Sequence, residues 1–208
     1  MRHTTTRFIA STVLAVLISS AAAAAVAQQP DNSPMAVVEL TVGQVIEILK
    51  DDGLTEASKK RQVRTVISEH FDFTAMANRV LATNWRKASK AQRSKFTNLF
   101  RQLLSNTYWR KISGYTNETV EYLGERRRSD ALATVNTVIK TSTVEIPVDY
   151  KLYLRGGERW MAYDVVIEQV SLVRNYRSSF QDIVREKGID GLIGQLEIKV
   201  AESSIEDE

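Results

Sequence analysis

The chain has 208 residues, 43% hydrophobic and 25% charged, with a formal net charge of +3 and no cysteine. The missing thiols exclude disulfides, zinc–thiolate sites and lipid attachment through cysteine, so an exported form must be held by its core alone. The charge is uneven. Lys59 to Arg128 carries 16 Lys and Arg against 5 Asp and Glu, while Gln28 to Ser58 and Ser129 to Glu208 are each net −5. A basic middle between acidic ends suits an anionic membrane or an acidic partner.

In chain order, Arg2 and Arg7 precede an apolar run from Phe8 to Val26, which ends in Ala25-Val26-Ala27. That is the pattern of a cleaved export signal over residues 1–27, with the mature chain starting near Gln28. Export disfavours a nucleic-acid partner. The remainder fits one domain over 28–208, with residues 28–37 and 200–208 as flexible flanks. Thr41 and Gln44 fit a capping box that opens a helix with Val42, Val45, Ile46 and Leu49 on its apolar side, ending at Gly53. A second helix carries Val63, Val66 and Ile67. Asp72 reads as the N-cap of a third, with Met76, Val80 and Leu81. Ser89 and Gln92 form another capping box, opening a long helix with Phe96, Leu99, Phe100, Leu103, Leu104 and Tyr108 as its stripe, ending near Gly114.

The period then changes to two. Strands are expected over 119–123, 131–140, 144–155 and 159–168, with Arg126-Arg127-Arg128 as a turn and Gly156-Gly157 as a hairpin. The third strand alternates cleanly: Ile146, Val148, Tyr150, Leu152 and Leu154 on one side, Glu145, Asp149, Lys151 and Arg155 on the other. Helix resumes near Leu172 with Tyr176, Phe180, Ile183 and Val184, stops at Gly188, and continues briefly with Leu192, Ile193 and Leu196. Helices, then a curved four-stranded antiparallel sheet, then helices make an α+β domain whose helices close over one sheet face. The pattern does not say whether the enclosed space is filled or hollow.

Catalysis has few footholds. His70 is the one histidine beyond the leader, and no HExxH, GxSxG, P-loop or GxGxxG motif is present. Tyr163 and Asp164, neighbours on a strand, point to opposite faces unless a bulge intervenes. The sequence reads as a non-enzyme without a metal or other cofactor.

The segment Trp160-Met161-Ala162-Tyr163-Asp164-Val165-Val166-Ile167-Glu168-Gln169-Val170-Ser171 resembles the W-x-x-YD-x-x-x-EGVS stretch of the MlaC family of periplasmic phospholipid-binding proteins. Lys187-Gly188-Ile189-Asp190-Gly191-Leu192, followed by Gln195-Leu196, resembles that family's KGIDGL-x-x-QL ending. Phe71-Asp72-Phe73, Leu81, Trp85, Ala91-Gln92-Arg93 and Phe96 fit its helical middle. Gln169 departs from the pattern, where the family usually has Gly. The resemblance implies a nuclear-transport-factor-two-like fold with an apolar pocket for acyl chains, and a periplasmic carrier moving phospholipid between the outer and inner membranes to maintain outer-membrane asymmetry. It implies as partners an inner-membrane ABC transporter with a lipid-binding ring subunit and an outer-membrane lipoprotein complex, with only transient membrane contact. Some relatives are tied to hopanoid export, so another hydrophobic ligand, or an enzyme on the same fold, is the alternative. The expected lining is Val148, Tyr150 and Leu152 on one strand, Val165 and Ile167 on the next, and Leu99, Leu103 and Leu104 from the long helix.

Overall fold

A computed structural model describes residues 32–114 and 118–205; the expected leader lies outside them. Helix α1 (Pro34–Lys50) starts two turns earlier than the Thr41 capping box suggested. Ser33 caps it, its Oγ accepting from the Ala36 N–H at 3.1 Å, and Pro34 supplies a pre-set φ in the first turn. Thr41 sits mid-helix instead, its hydroxyl donating to the Val37 carbonyl at 2.6 Å. Residues 34–37 are therefore helical rather than a loose lead. Helices α2 (Glu56–His70) and α3 (Phe73–Leu81) follow, the latter capped by Asp72 as expected, with the Ala75 N–H donating to Oδ1 at 2.8 Å. Ala82, at φ 52°, separates α3 from the short α4 (Thr83–Lys87). The reciprocal capping box of Ser89 and Gln92 opens α5 (Lys90–Ile112).

The sheet is an antiparallel meander of five strands, not four: β1 (Thr119–Ser129), β2 (Leu132–Lys140), β3 (Glu145–Arg155), β4 (Arg159–Ile167) and β5 (Val170–Ser171). Arg126 to Arg128, expected as a turn, lie within β1, where pairing with Thr134 and Ala133 extends the strand. A register shift beside Gly124 (φ 146°) bends that edge strand. Glu168 and Gln169, both at positive φ (47° and 69°), make the tight turn into β5. Glycine adopts that geometry without strain, a local reason for the family's Gly at the second position.

Helix α6 (Leu172–Ile205) is broken at Gly188 (φ 70°, ψ −175°), where the sequence placed a stop. Its end reaches Ile205, with Val200 buried, so the flexible flank expected from residue 200 is helical as far as Ile205. Across β2, β3 and β4 the inner face carries Val135, Tyr150 and Val165 in one row, and Ala133, Leu152 and Ala162 in the next. Helix α1 lies on that face, while β4 is also covered on its outer face, where Met161, Asp164 and Val166 are buried. Cover on both sides explains why β4 lacks the alternation seen in β3.

Apolar burial divides into separate clusters. The largest is purely helical, joining Met76, Val80, Phe96, Phe100, Leu103, Phe180, Leu192 and Leu196 from α3, α5 and α6. Its aromatic centre is edge-on: Phe100 meets Tyr176 at 5.3 Å and Phe180 at 6.3 Å, in the favoured T-shaped manner. The sheet's inner face forms two further clusters. One holds Ala133, Val135, Leu152, Trp160 and Ala162 with Val38 of α1; the other holds Val148, Val165 and Leu172.

Candidate functional site

The inner face of the sheet is an extended, largely apolar surface: around Leu152 its cover is one edge of α1, and around Val148 it is Phe71, Tyr108 and Leu172. Val38 of α1 is 3% exposed against Leu152, itself fully buried, and Trp160. Beside them Val37, Thr41 and Val42 of α1 face Tyr150, Leu152 and Ala162, leaving a narrow cleft of about 10 Å³ that ends at His70 and Phe71. That is room for about one water. A second, larger notch of about 40 Å³ opens elsewhere, between the α3–α4 junction and α6, where Arg177, Gln181 and Asn84 mix with Phe180 and Val184. Its polar rim and its place outside the sheet make it a surface notch, whereas the cleft has an almost wholly apolar wall.

Tyr150 is central to this wall. Burial, and to a lesser degree the neighbouring Tyr122, push its hydroxyl well above the ordinary phenol range, so it stays neutral at any working pH. Phe71 closes the inner end. Its backbone forms a parallel bridge with Ala162, the Asp72 N–H donates to the Ala162 carbonyl at 2.9 Å, and its ring contacts the helical cluster and both sheet clusters. The imidazole of His70, lining the cleft, titrates below its usual value, through burial first and the Arg159 guanidinium second. Arg159 is anchored by donating to the Glu69 carbonyl.

The expected lining residues are not all brought together. Val148, Tyr150, Leu152, Val165 and Ile167 share the inner face: Val148 pairs with Ile167, Tyr150 with Val165 and Leu152 with Ala162. Leu103 and Leu104 instead lie buried in the helical cluster, with Leu99 packed against it. Both sets recur with clean periodicity, but α5 turns its stripe toward α3 and α6 rather than toward the sheet. The α5 residue that does reach the inner-face cluster is Tyr108. Of the α1 residues in the cleft, the sequence reading places Val42 on a helix's apolar side but omits Val37 and Val38, although the run Ala36-Val37-Val38 before the expected helix start is the available signal.

Polar chemistry gathers outside this face and is internally satisfied. A bulge sets Lys151 against Asp164 and Leu152 against Ala162, so Tyr163 is the extra residue and shares the outer face with Asp164. The buried Asp164 carboxylate accepts from Lys151 Nζ at 3.0 Å, Ser171 Oγ at 2.7 Å and the Val173 N–H at 3.1 Å, which ties β3 and β4 to the start of α6. Tyr163 meets Arg79 instead, whose guanidinium lies 4.2 Å from the ring centre. The Tyr153 hydroxyl donates to Asp72 and, mainly through burial, is pushed up to about 12. The arrangement fixes elements relative to one another, and Tyr163 and Asp164 do not address one reacting atom. Among the described residues no group of three His, Cys, Asp or Glu stands close enough to hold a metal, and no helix is long and apolar enough to cross a membrane.

A mainly apolar wall, with Thr41, His70 and Tyr150 as the polar residues of the cleft lining, suits a hydrophobic ligand, and comparison with known proteins bears on which kind. The family model described as MlaC protein matches residues 39–198. The chain belongs to the MlaC family. A Haemophilus influenzae relative, the intermembrane phospholipid transport system binding protein MlaC, is 24% identical over 140 residues. That match spans 65% of this chain and 65% of the relative, so it falls short of two thirds of the relative's length. Among solved structures, a phospholipid-binding protein from Ralstonia solanacearum, determined in complex with a phospholipid, superposes with a TM-score of 0.75 at 23% identity, covering 82% of this chain and 98% of the other. At that identity the likeness establishes the fold, and the helices-plus-antiparallel-sheet architecture expected from the sequence stands, with one short strand added.

Proposed function

We propose that this protein is a periplasmic phospholipid carrier that holds acyl chains against the inner sheet face, beneath α1. The observation that carries this reading is the largely apolar inner face of β2, β3 and β4, whose part around Leu152 is covered by one edge of α1, in a chain of the MlaC family. Val148, Tyr150, Leu152, Val165 and Ile167 would line the chains, with Val38 and Val42 opposite. Leu99, Leu103 and Leu104 would stabilise the fold from the helical core.

The energetics fit carriage. Burial is worth about 0.8 kcal/mol per methylene, so two chains of roughly 30 methylenes together represent about 24 kcal/mol. A lipid leaving a bilayer unaided faces much of that as a barrier. An apolar wall replaces one apolar environment by another, so transfer lies near balance and direction must be imposed by partners. In the family context those are the inner-membrane ABC transporter with its ring subunit and the outer-membrane lipoprotein complex. A drug-sized ligand site has about 300–1,000 Å³, far above the cleft described, so seating the chains requires α1 to back away from β3 and β4. The phenol of Tyr150, neutral throughout, and the fully buried Leu152 become the floor of the opened space.

The test is native mass spectrometry of protein purified from the exporting host. A diacyl phospholipid adduct of defined mass is expected; a polycyclic lipid adduct, or none, would overturn the phospholipid assignment. Leu152→Trp sharpens it. The indole occupies chain space and props α1 away, so bound phospholipid should fall at least several-fold, while the helical cluster, which holds no sheet residue, keeps the domain folded. Overpacking typically costs about 1–3 kcal/mol, or up to about 10 °C in melting temperature for a domain of this size. A folded variant with undiminished lipid would show that Leu152 is packing only.

A further inference from the structure

The function proposed above does not use the most one-sided feature of the chain. Between Asp72 and Glu118 there are nine Lys and Arg and no Asp or Glu. In the fold these residues occupy α3, α4, α5 and their junctions. Arg86, Lys87, Lys90 and Arg101 are exposed and make no ion pair among the described residues. The end of α4 is clamped to α5 by Arg93, which donates to the Trp85 and Arg86 carbonyls at 2.8 and 3.2 Å with its guanidinium over the Trp85 ring, so Arg86, Lys87 and Lys90 are held as one group. Arg101 lies eleven residues beyond Lys90, three turns along the same side of α5, about 16 Å away. Acidic groups meet α5 on its other flank, where Glu197 pairs with Lys95 at 2.7 Å and Asp190 accepts from Gln92 at 2.8 Å.

We propose that this stripe docks the protein, reversibly, on the anionic headgroup surface of a phospholipid bilayer. The choice of occupant rests on the carrier reading; the stripe does not. Charge alone suits a headgroup plane, which attracts each nearby cation by a similar increment and demands no fixed register. A protein partner would require a buried apolar or aromatic anchor. The exposed large hydrophobics, Leu40, Leu123, Leu132, Val144, Val170 and Ile198, all lie outside α2, α4 and α5. The stripe therefore offers cations without an anchor, an arrangement for contact that salt dissolves.

The test is co-sedimentation of the mature full-length protein with two vesicles: pure phosphatidylcholine, and phosphatidylcholine with about 30 mol% phosphatidylglycerol. Binding is expected only to the anionic vesicle, and to vanish as salt rises from about 0.05 to about 0.5 M. Removing the four exposed cations as Arg86→Gln, Lys87→Gln, Lys90→Gln and Arg101→Gln should weaken binding by about fivefold per residue. The pair Lys187→Gln and Lys199→Gln on α6 should change it little. Equal binding to both vesicles, insensitivity to salt, or full binding by the four-residue variant would overturn the proposal. So would pelleting with neither vesicle, which would assign the stripe to an acidic protein instead. Lipid adducts measured on the same preparations report carriage independently, so loss of one property is distinguishable from loss of the other.

Discussion

Phe71 touches the helical cluster and both sheet clusters, and the residue before it is the chain's one histidine after His3. Because burial and Arg159 hold the His70 imidazole below its usual value, the fold favours the neutral ring. An unfolded histidine titrates near 6.5. Above that pH both states are neutral and His70 contributes no pH dependence. As pH falls below 6.5 the unfolded chain takes up the proton first, so stability is lost progressively through the lower folded value. Thermal melting from pH 7 to pH 5 should show a decline that flattens in His70→Gln, with lipid content at pH 7 unchanged; an equal decline in the variant would place the effect on other groups. Single residues were legible where their work is local. The Asp72 and Ser89 caps follow from chain neighbours alone, as does the Gly188 stop. The bulge at Tyr163 was not, because it depends on the register β3 imposes across the sheet.

At the scale of elements, α1 is the piece that neither periodicity nor motif located correctly. Pro34 with the Ser33 cap outcompetes the internal Thr41 box, since proline fixes φ at a position that needs no donor. The gain of two turns places Val38 on Leu152 and Trp160. Only one edge of α1 is committed: Val38 and Thr41 are buried by the sheet, Leu49 by Val63 and Trp109, while Glu39 and Leu40 are exposed. Such a helix opens at lower cost than α5, whose buried side runs its whole length. Hydrogen exchange should therefore protect Val37–Leu49 amides less than those of Phe96–Leu104. Val38→Ala, at a cost of about 2 kcal/mol, should widen that gap by speeding exchange in α1 alone. Uniform acceleration of both helices would show that α1 does not open separately. The strands were easier to read than α1, because alternation in β3 reports its two environments directly. Their number and the length of β1 were not, since β5 is two residues long and the basic end of β1 mimics a loop.

Across the whole molecule, the proposed function gives apolar residues two purposes that periodicity cannot separate. Leu103 and Leu152 are each almost fully buried in well-patterned elements, yet one lies among helices and the other under α1 on the sheet. Leu103→Ala should lower stability by about 2–5 kcal/mol and leave bound phospholipid per folded molecule unchanged, whereas Leu152→Trp should lose phospholipid at the smaller cost of about 1–3 kcal/mol. Melting curves paired with lipid mass spectrometry check both; a Leu103→Ala protein that stays stable but loses lipid would bring α5 back into the lining. The sequence carried the α+β class, the strand face and the family, because these follow from local pattern. Which side of α5 meets which neighbour is a tertiary fact with no local trace. The independence of the helical core has an evolutionary consequence. In most binding proteins the residues that shape the ligand also hold the fold, so changes of specificity drain stability. If the inner sheet face holds the ligand as proposed, it can drift in size and shape while α3, α5 and α6 keep the chain folded, leaving descendants of one scaffold free to exchange one hydrophobic cargo for another.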